Sequence, residues 1–109
     1  MPKQKDFTEL IRPLCREHKV IWTHHAAMRL LMRGIPKSDV ENVLLHGRII
    51  EKYPSDYPFP SCLILGGTSN GEPLHVVCSI HSDPNELHIV TAYVPSIDDW
   101  EYDFKTRRK

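Results

Sequence analysis

The sequence of 109 residues lacks the features of a disulfide-stabilised or membrane-spanning protein. Its three cysteines, Cys15, Cys62 and Cys78, are odd in number and have no CxxC spacing, which indicates buried reduced thiols rather than a disulfide framework. No apolar run is long enough to span a bilayer, and no apolar segment of the signal-peptide type follows the first residues. We therefore expect a cytoplasmic protein that does not enter a membrane.

A net charge is also absent, because 14 Lys and Arg residues balance 14 Asp and Glu residues. A neutral chain is poorly suited to binding nucleic acid through overall charge alone. The charges are nevertheless segregated: residues 1–37 contain eight basic and three acidic side chains, whereas residues 49–104 contain one basic and nine acidic side chains. The basic helical half and the basic tail over residues 105–109 could form a local phosphate-binding patch, or they could be ordinary solvated surface.

The residues that are present predict one globular domain over residues 1–109. Capping signals and apolar residues at helical spacing predict helices over about residues 6–18, 25–33 and 38–46. Strand patterns follow over residues 48–53 and 61–65, and then a long β-hairpin over Leu74–Pro95. Ser96 to Asp99 has capping spacing, so a short C-terminal helix should place Ile97, Trp100 and Phe104 on the domain. Because short connections make strands antiparallel, the predicted fold is α+β, with N-terminal helices packed on a four-stranded antiparallel sheet and a short C-terminal helix.

The hairpin should present a group of polar side chains on one face. Its first arm alternates, so that His75 lies on the opposite face from Leu74 and Val76. If the apolar faces of the two arms are aligned, His75 comes near Tyr93, and Val77 comes near Thr91. Histidine, threonine and tyrosine together form a candidate catalytic or binding surface.

A second group of polar residues lies on the predicted helix over residues 25–33. His25, Arg29 and Arg33 follow at intervals of four residues and so form one stripe on that helix. His25 is in the first helical turn, where free backbone N–H groups favour an anion. The stripe is therefore a candidate site for phosphate.

Both groups contribute to a resemblance to a known family. The matching segments are Thr23-His-His25-Ala-Ala-Met-Arg29-Leu-Leu-Met-Arg33-Gly34-Ile35, Val40 to Gly47, Pro73-Leu-His75-Val-Val, Val90-Thr-Ala-Tyr93-x-Pro95, and Trp100, Phe104 and Arg107. Over residues 20–108, beyond the N-terminal helix of residues 1–19, the chain resembles the family numbered four-two-five-eight among the domains of unknown function, which are small bacterial and phage proteins. The chain departs from the family pattern in its longer proline-rich stretch, Pro54–Pro60, and in its doubled histidine, of which His25 aligns with the family histidine.

The resemblance implies a layout similar to RelE-type ribonuclease toxins, metal-independent cleavage of RNA, and a zinc-finger-type antitoxin as a partner. Such cleavage needs a base for the 2′-hydroxyl, an acid for the leaving oxygen and cations at the phosphate. Histidine suits both proton transfers, because its ordinary pKa of about 6.5 leaves both forms populated near neutrality. The predicted catalytic residues are His25, His75, Arg29 and Tyr93, and the predicted substrate-binding residues are Arg33 and Thr91.

Other interpretations of the same residues remain open. The polar sheet face and the proline-rich loop could belong to a non-catalytic module that binds a protein or nucleic acid. No HxH, HExxH or CxxC spacing is present, so neither a metal site nor a cofactor is predicted. The glycine-rich stretch Gly66–Gly71 has no Lys-Ser/Thr after it and predicts a hairpin turn rather than a nucleotide-binding loop.

Overall fold

The computed structural model describes residues 7–82 and 84–109 and confirms the α+β fold class. Its helices are α1 (Phe7–Arg16), α2 (His24–Arg33) and α3 (Lys37–His46); its strands are β1 (Val20–Trp22), β2 (Arg48–Tyr53), β3 (Ser61–Gly67), β4 (Pro73–His81) and β5 (Glu86–Tyr93). No helix in the described part of the chain is long and apolar enough to cross a membrane.

The sheet has five strands in the order β1-β5-β4-β3-β2, so the prediction of a four-stranded antiparallel sheet is wrong. β1 pairs with β5 in parallel, with Val20 opposite Leu87 and Trp22 opposite Ile89, while the other pairs are antiparallel. Antiparallel pairing follows from short connections, but β1 and β5 are separated by most of the chain, so their direction is free of that constraint. The three residues of β1 are all apolar, so the sequence has no alternation by which the pairing of this strand could be predicted.

One face of the sheet packs against the helices to form the hydrophobic core. The buried side chains come from all three helices and the central strands, and include Ile11, Leu14, Leu30, Val40, Val43, Leu44, Cys62, Ile64, Val76, Cys78, Leu87 and Ile89. α3 lies close to β3: there is no room for a side chain at Gly66, where an added Cβ atom would lie 2.7 Å from Cγ2 of Val43. The three cysteines are free and buried, and the Sγ atoms of Cys62 and Cys78 lie 3.9 Å apart inside this core.

The pairing of β4 with β5 places the polar side chains as predicted. His75 pairs with Tyr93, and Val77 pairs with Thr91, so these four residues share the face opposite the helices. Simple alternation would also put Ile89 on that face, but the register shifts between Val77 and Cys78. This bulge turns Ile89 into the core, where it is 1% exposed, and leaves Thr91 on the open face.

The predicted C-terminal helix is wrong, because residues 94–109 form turns. Side chains compete with helical hydrogen bonds here: the carboxylate of Asp103 accepts hydrogen bonds from the backbone N–H groups of Lys105 and Thr106, both at 3.0 Å. Phe104 has a φ of 58°, which is outside the helical region. The segment therefore folds back and buries Trp100 against the sheet, whereas Ile97 stays 48% exposed.

Candidate functional site

The basic stripe of α2 lies on a helix whose two ends are well defined. The side chain of Thr23 accepts a hydrogen bond from the backbone N–H of Ala26 at 3.1 Å, and Gly34 ends the helix in the left-handed conformation with a φ of 66°. Ala26 and Leu30 are buried and hold the helix against the core. His25, Arg29 and Arg33 are exposed, and the helix contains no acidic residue.

Arg33 connects this stripe to the sheet. Its Nη1 atom donates hydrogen bonds to the hydroxyl of Thr91 at 3.0 Å and to the carbonyl oxygen of Ala92 at 2.8 Å. The carbonyl is available because β1 pairs only with Leu87 to Ile89, which leaves the outer edge of β5 unpaired beyond that point. The two predicted substrate-binding residues, Arg33 and Thr91, are therefore in direct contact.

His75 lies beneath the C-terminal segment and is 0% exposed. Its Nε2 lies 2.6 Å from the carbonyl oxygen of Phe104, and its Nδ1 lies 3.3 Å from the hydroxyl of Tyr93. A carbonyl can only accept, so Nε2 carries the proton and Nδ1 accepts from the tyrosine hydroxyl. Burial lowers the pKa of His75 below its ordinary value, so the neutral ring is favoured. Both ring nitrogens are occupied by protein groups.

Tyr93 stands between His75 and the edge of β5. It is half-buried, its ring makes an edge contact with His75 at a centroid distance of 5.3 Å, and its hydroxyl faces Nδ1 of that histidine. Burial raises the pKa of the Tyr93 phenol, while the nearby charges of Arg107 and Arg33 lower it to a smaller extent. The phenol therefore stays protonated near neutrality and can donate a proton, but it is a poor base.

An ion pair fastens the C-terminal segment over His75. Arg107 donates to both carboxylate oxygens of Glu51 at 2.8 and 3.0 Å, and its guanidinium lies 4.6 Å from the ring centre of Trp100. Trp100 in turn makes an edge contact with the His75 ring at 4.5 Å. The hydrogen bond from Arg107 lowers the pKa of Glu51, and Tyr53 also donates to this carboxylate. The cover over His75 is thus held by charge as well as by packing.

Next to this network, the open sheet face contains a cavity of about 340 Å³. Val77 and Val90 contribute to its lining, and Tyr57, Phe59 and His81 supply aromatic walls. Val90 is the residue before Thr91 in β5, whereas neither Thr91 nor Arg33 lines the cavity. Sequence reasoning did not select Tyr57 or Phe59 as site residues, although two aromatic residues between the prolines of residues 54–60 are a signal for a rigid apolar surface.

The structure thus brings four of the six predicted site residues into two contacting pairs, Arg33 with Thr91 and His75 with Tyr93. Within residues 7–82 and 84–109, the other two, His25 and Arg29, form no hydrogen bond or ion pair with another side chain. They border the apolar side chains of Met28 and Met32 on the same exposed helix surface.

Residues 22–94, which include all six of these positions, match the family described as a domain of unknown function, DUF4258. The chain belongs to this family. The family resemblance predicted from the sequence is therefore confirmed over residues 22–94, whereas the predicted match of Trp100, Phe104 and Arg107 lies beyond this range, in the C-terminal segment that covers His75. No curated protein and no solved structure matches the chain.

Proposed function

We propose that this DUF4258 protein is a metal-independent endoribonuclease of the toxin type, which binds RNA along α2 and the free edge of β5. The observation that carries the proposal is the contact of Arg33 with Thr91 and Ala92, because it joins a basic helix stripe to the sheet edge that contains Tyr93. The segregation of basic side chains into the helical half of the chain supports the same surface. Fold likeness to RelE-type toxins and a cytoplasmic location are part of this proposal.

Phosphate binding is assigned to Arg29 and Arg33. Arginine presents a planar fork of donors that suits phosphate oxygens. Arg33 uses one nitrogen, Nη1, for its two contacts with β5, so its other N–H groups remain for a ligand. The neighbouring cavity with Tyr57 and Phe59 offers an aromatic surface on which a base of single-stranded RNA can stack.

Proton transfer is assigned to His25 and Tyr93. His25 takes the proton of the 2′-hydroxyl, the 2′ oxygen attacks the adjacent phosphorus, the bond from phosphorus to the 5′ oxygen breaks, and Tyr93 gives its proton to that oxygen. The products are a 2′,3′-cyclic phosphate and a free 5′-hydroxyl. The phenol of Tyr93 is protonated near neutrality and so has a proton to give, but burial raises its pKa and makes it a weaker acid than an ordinary tyrosine; the exposure of His25 leaves it accessible to substrate.

For His75, its contacts favour a positioning role rather than direct acid–base chemistry. Its ring accepts the hydroxyl hydrogen of Tyr93 and is closed to solvent by the C-terminal segment. This contact holds the phenol oxygen in one place, and the hydroxyl hydrogen has to turn from Nδ1 towards the leaving oxygen when the proton is transferred. His75 therefore acts on the reaction through Tyr93.

The test is cleavage of short single-stranded RNA by the purified full chain in the presence of a chelator, with the products identified by mass. Tyr93→Phe and His25→Gln should each lower the cleavage rate by about 10²–10⁴-fold and leave RNA binding unchanged, because each removes one positioned proton transfer. Arg33→Gln should weaken RNA binding itself. RNA with a 2′-deoxy sugar at the cleaved position should bind and remain intact.

Two exposed residues provide matched controls. His24 is the neighbour of His25 in the same helical turn, and Arg16 is the basic residue in the last turn of α1, as Arg33 is in α2. His24→Gln and Arg16→Gln should leave both cleavage and binding unchanged. Equal rates for the His24 and His25 variants, or products without a cyclic phosphate, would overturn the mechanism.

The zinc-finger-type antitoxin is proposed as the partner that restrains this activity. The exposed surface of α2 is basic and contains the apolar side chains of Met28, Leu31 and Met32. An inhibitor that covers it would also cover His25 and Arg29. Protection of these two residues from chemical modification in the complex is the expected result, and modification at the free rate would count against it.

The burial of His75 specifically favours a second candidate, a non-catalytic module that binds RNA or protein through the same surface. In that case the wild type binds RNA without cleaving it, and Tyr93→Phe has no effect beyond affinity. Measuring binding and cleavage on the same samples separates the two functions.

A further inference from the structure

Three metal-binding side chains meet at the turn end of the β4–β5 hairpin. His81 pairs with Glu86 across the two strands, and His88 pairs with Ser79, so His81, Glu86 and His88 lie on one face. One ligand atom from each of the three residues can be chosen such that all lie within 4.8 Å of one another. The side chains are half-buried and so remain accessible from solvent.

The two histidine rings are in direct contact with each other. They are stacked with centroids 3.5 Å apart and an angle of 2° between their planes, and Phe59 stacks on the other side of His81 at 3.7 Å. In a tetrahedral zinc site with bonds of about 2.0–2.1 Å to nitrogen, neighbouring ligand atoms are roughly 3.3 Å apart. The nitrogen lone pairs lie in the ring planes, so the rings would have to rotate out of this stack, and the three ligand atoms, now within 4.8 Å of one another, would have to draw together around the ion.

We propose that His81, Glu86 and His88 form a binding site for a divalent transition-metal ion, with zinc as the best match. Two imidazoles and one carboxylate suit zinc and its neighbours, whereas magnesium and calcium prefer sites built of oxygen atoms alone. Glu86 Oε1 lies 2.9 Å from Nε2 of His88, so the carboxylate is within reach of the same ion. The hydroxyl of Ser79, which lies 3.0 Å from Nε2 of His81, or a water molecule would complete four ligands.

The site would fasten β4 to β5 beside the turn; it shares His81 with the cavity proposed to stack an RNA base but contains none of the residues proposed for proton transfer. It was not predicted from the sequence, because the ligands are contributed by two strands and their spacing forms no known motif. Only the register that places His81 opposite Glu86 brings the three residues together.

The experiment uses the full-length chain after treatment with a chelator and its removal. Zinc binding is measured by titration calorimetry, and cobalt(II) is added separately because its visible absorption reports ligand type and geometry. We expect one ion per chain, a cobalt spectrum of nitrogen and oxygen ligands, and a higher melting temperature with zinc. His81→Ala and His88→Ala should each weaken binding by more than about 100-fold, because even outer partners of a metal site are worth about 10–100-fold.

Matched variants keep the proposal falsifiable. His46→Ala removes an exposed histidine at the end of α3 and should leave zinc affinity unchanged, whereas Glu86→Gln should weaken it without changing the fold. Three outcomes would each overturn the site. They are the absence of stoichiometric zinc binding, equal zinc affinity in the His46 and His88 variants, and a cobalt–thiolate band that assigns the ion to the buried cysteines. If His81→Ala unfolds the chain, the zinc affinity of the Glu86→Gln variant decides whether the site exists.

Discussion

Lowering the pH from 7 to 5.5 should destabilise the protein through His75, and a His75→Gln variant should lose this part of the pH dependence. The ring is 0% exposed, and this burial favours its neutral form more strongly than the hydrogen bond from Nε2 to the carbonyl of Phe104 favours the charged form. Burial lowers the pKa of His75 in the folded protein, whereas the unfolded chain has the ordinary histidine pKa of about 6.5.

The sign of the effect follows from which state binds more protons. Because the folded pKa is the lower one, the unfolded chain takes up a proton first as the pH falls, and the free energy of unfolding decreases below about pH 6.5. If folded His75 binds no proton in this range, the loss between pH 7 and 5.5 reaches at most about 1.3 kcal/mol. The stability is fully present above the unfolded pKa and declines towards the folded pKa.

Urea denaturation at both pH values measures this loss. For an m-value of about 1–3 kcal/mol per molar urea, the midpoint of the wild type should fall by up to about 0.4–1.3 M. Glutamine can still donate to the Phe104 carbonyl but does not titrate, so the difference between the two proteins isolates His75. This subtraction is necessary because the pKa of His81 is also lowered, by partial burial and by His88. Equal pH dependence in both proteins would refute the description of His75 as a buried neutral ring and would restore it as an acid–base candidate.

Glu51→Gln should loosen the C-terminal segment, because it removes the charge that holds Arg107, and amide hydrogen exchange over residues 96–109 should become faster. The free energy of unfolding should fall by at most about 1 kcal/mol, since Arg107 is 59% exposed. Unchanged exchange would contradict this role. Ile89→Ala should lower the free energy of unfolding by about 2–5 kcal/mol, because the bulge places Ile89 in the core. A loss below about 1 kcal/mol, measured by chemical denaturation, would argue against that register. Gly34→Ala should cost roughly 1–2 kcal/mol, because alanine is strained at a φ of 66°. The matched Gly67→Ala should cost nothing in the same assay, since the nearest atom to an added Cβ is 3.7 Å away.

The candidate site combines an open part and a closed part. Arg33 lies on the open side and binds the free edge of β5, whereas His75 is sealed beneath Trp100 and the Phe104 carbonyl. Tyr93 is the residue that links them, since its hydroxyl contacts His75 and its backbone follows the carbonyl bound by Arg33. Substitutions at Tyr93 therefore test the site most directly.

Several features could be predicted from the sequence because they depend on neighbours along the chain. Thr23 and Gly34 set the ends of α2 through local hydrogen bonding and backbone conformation, so the stripe of His25, Arg29 and Arg33 follows from helical spacing alone. The pairing of His75 with Tyr93 was predictable in the same way, because aligning the apolar faces of the two arms puts these two residues opposite each other on the other face.

Tertiary structure alone decided the features that depend on contacts between distant segments. The parallel pairing of β1, the bulge that buries Ile89 and the turns that lay Trp100 over His75 each arise from packing that local propensity does not encode. The meeting of His81 with Glu86 likewise depends on a cross-strand register near a turn. Local patterns thus determined which side chains share a face, whereas long-range contacts determined which of them are open to solvent and which are enclosed, because enclosure requires a second segment to be brought over the first.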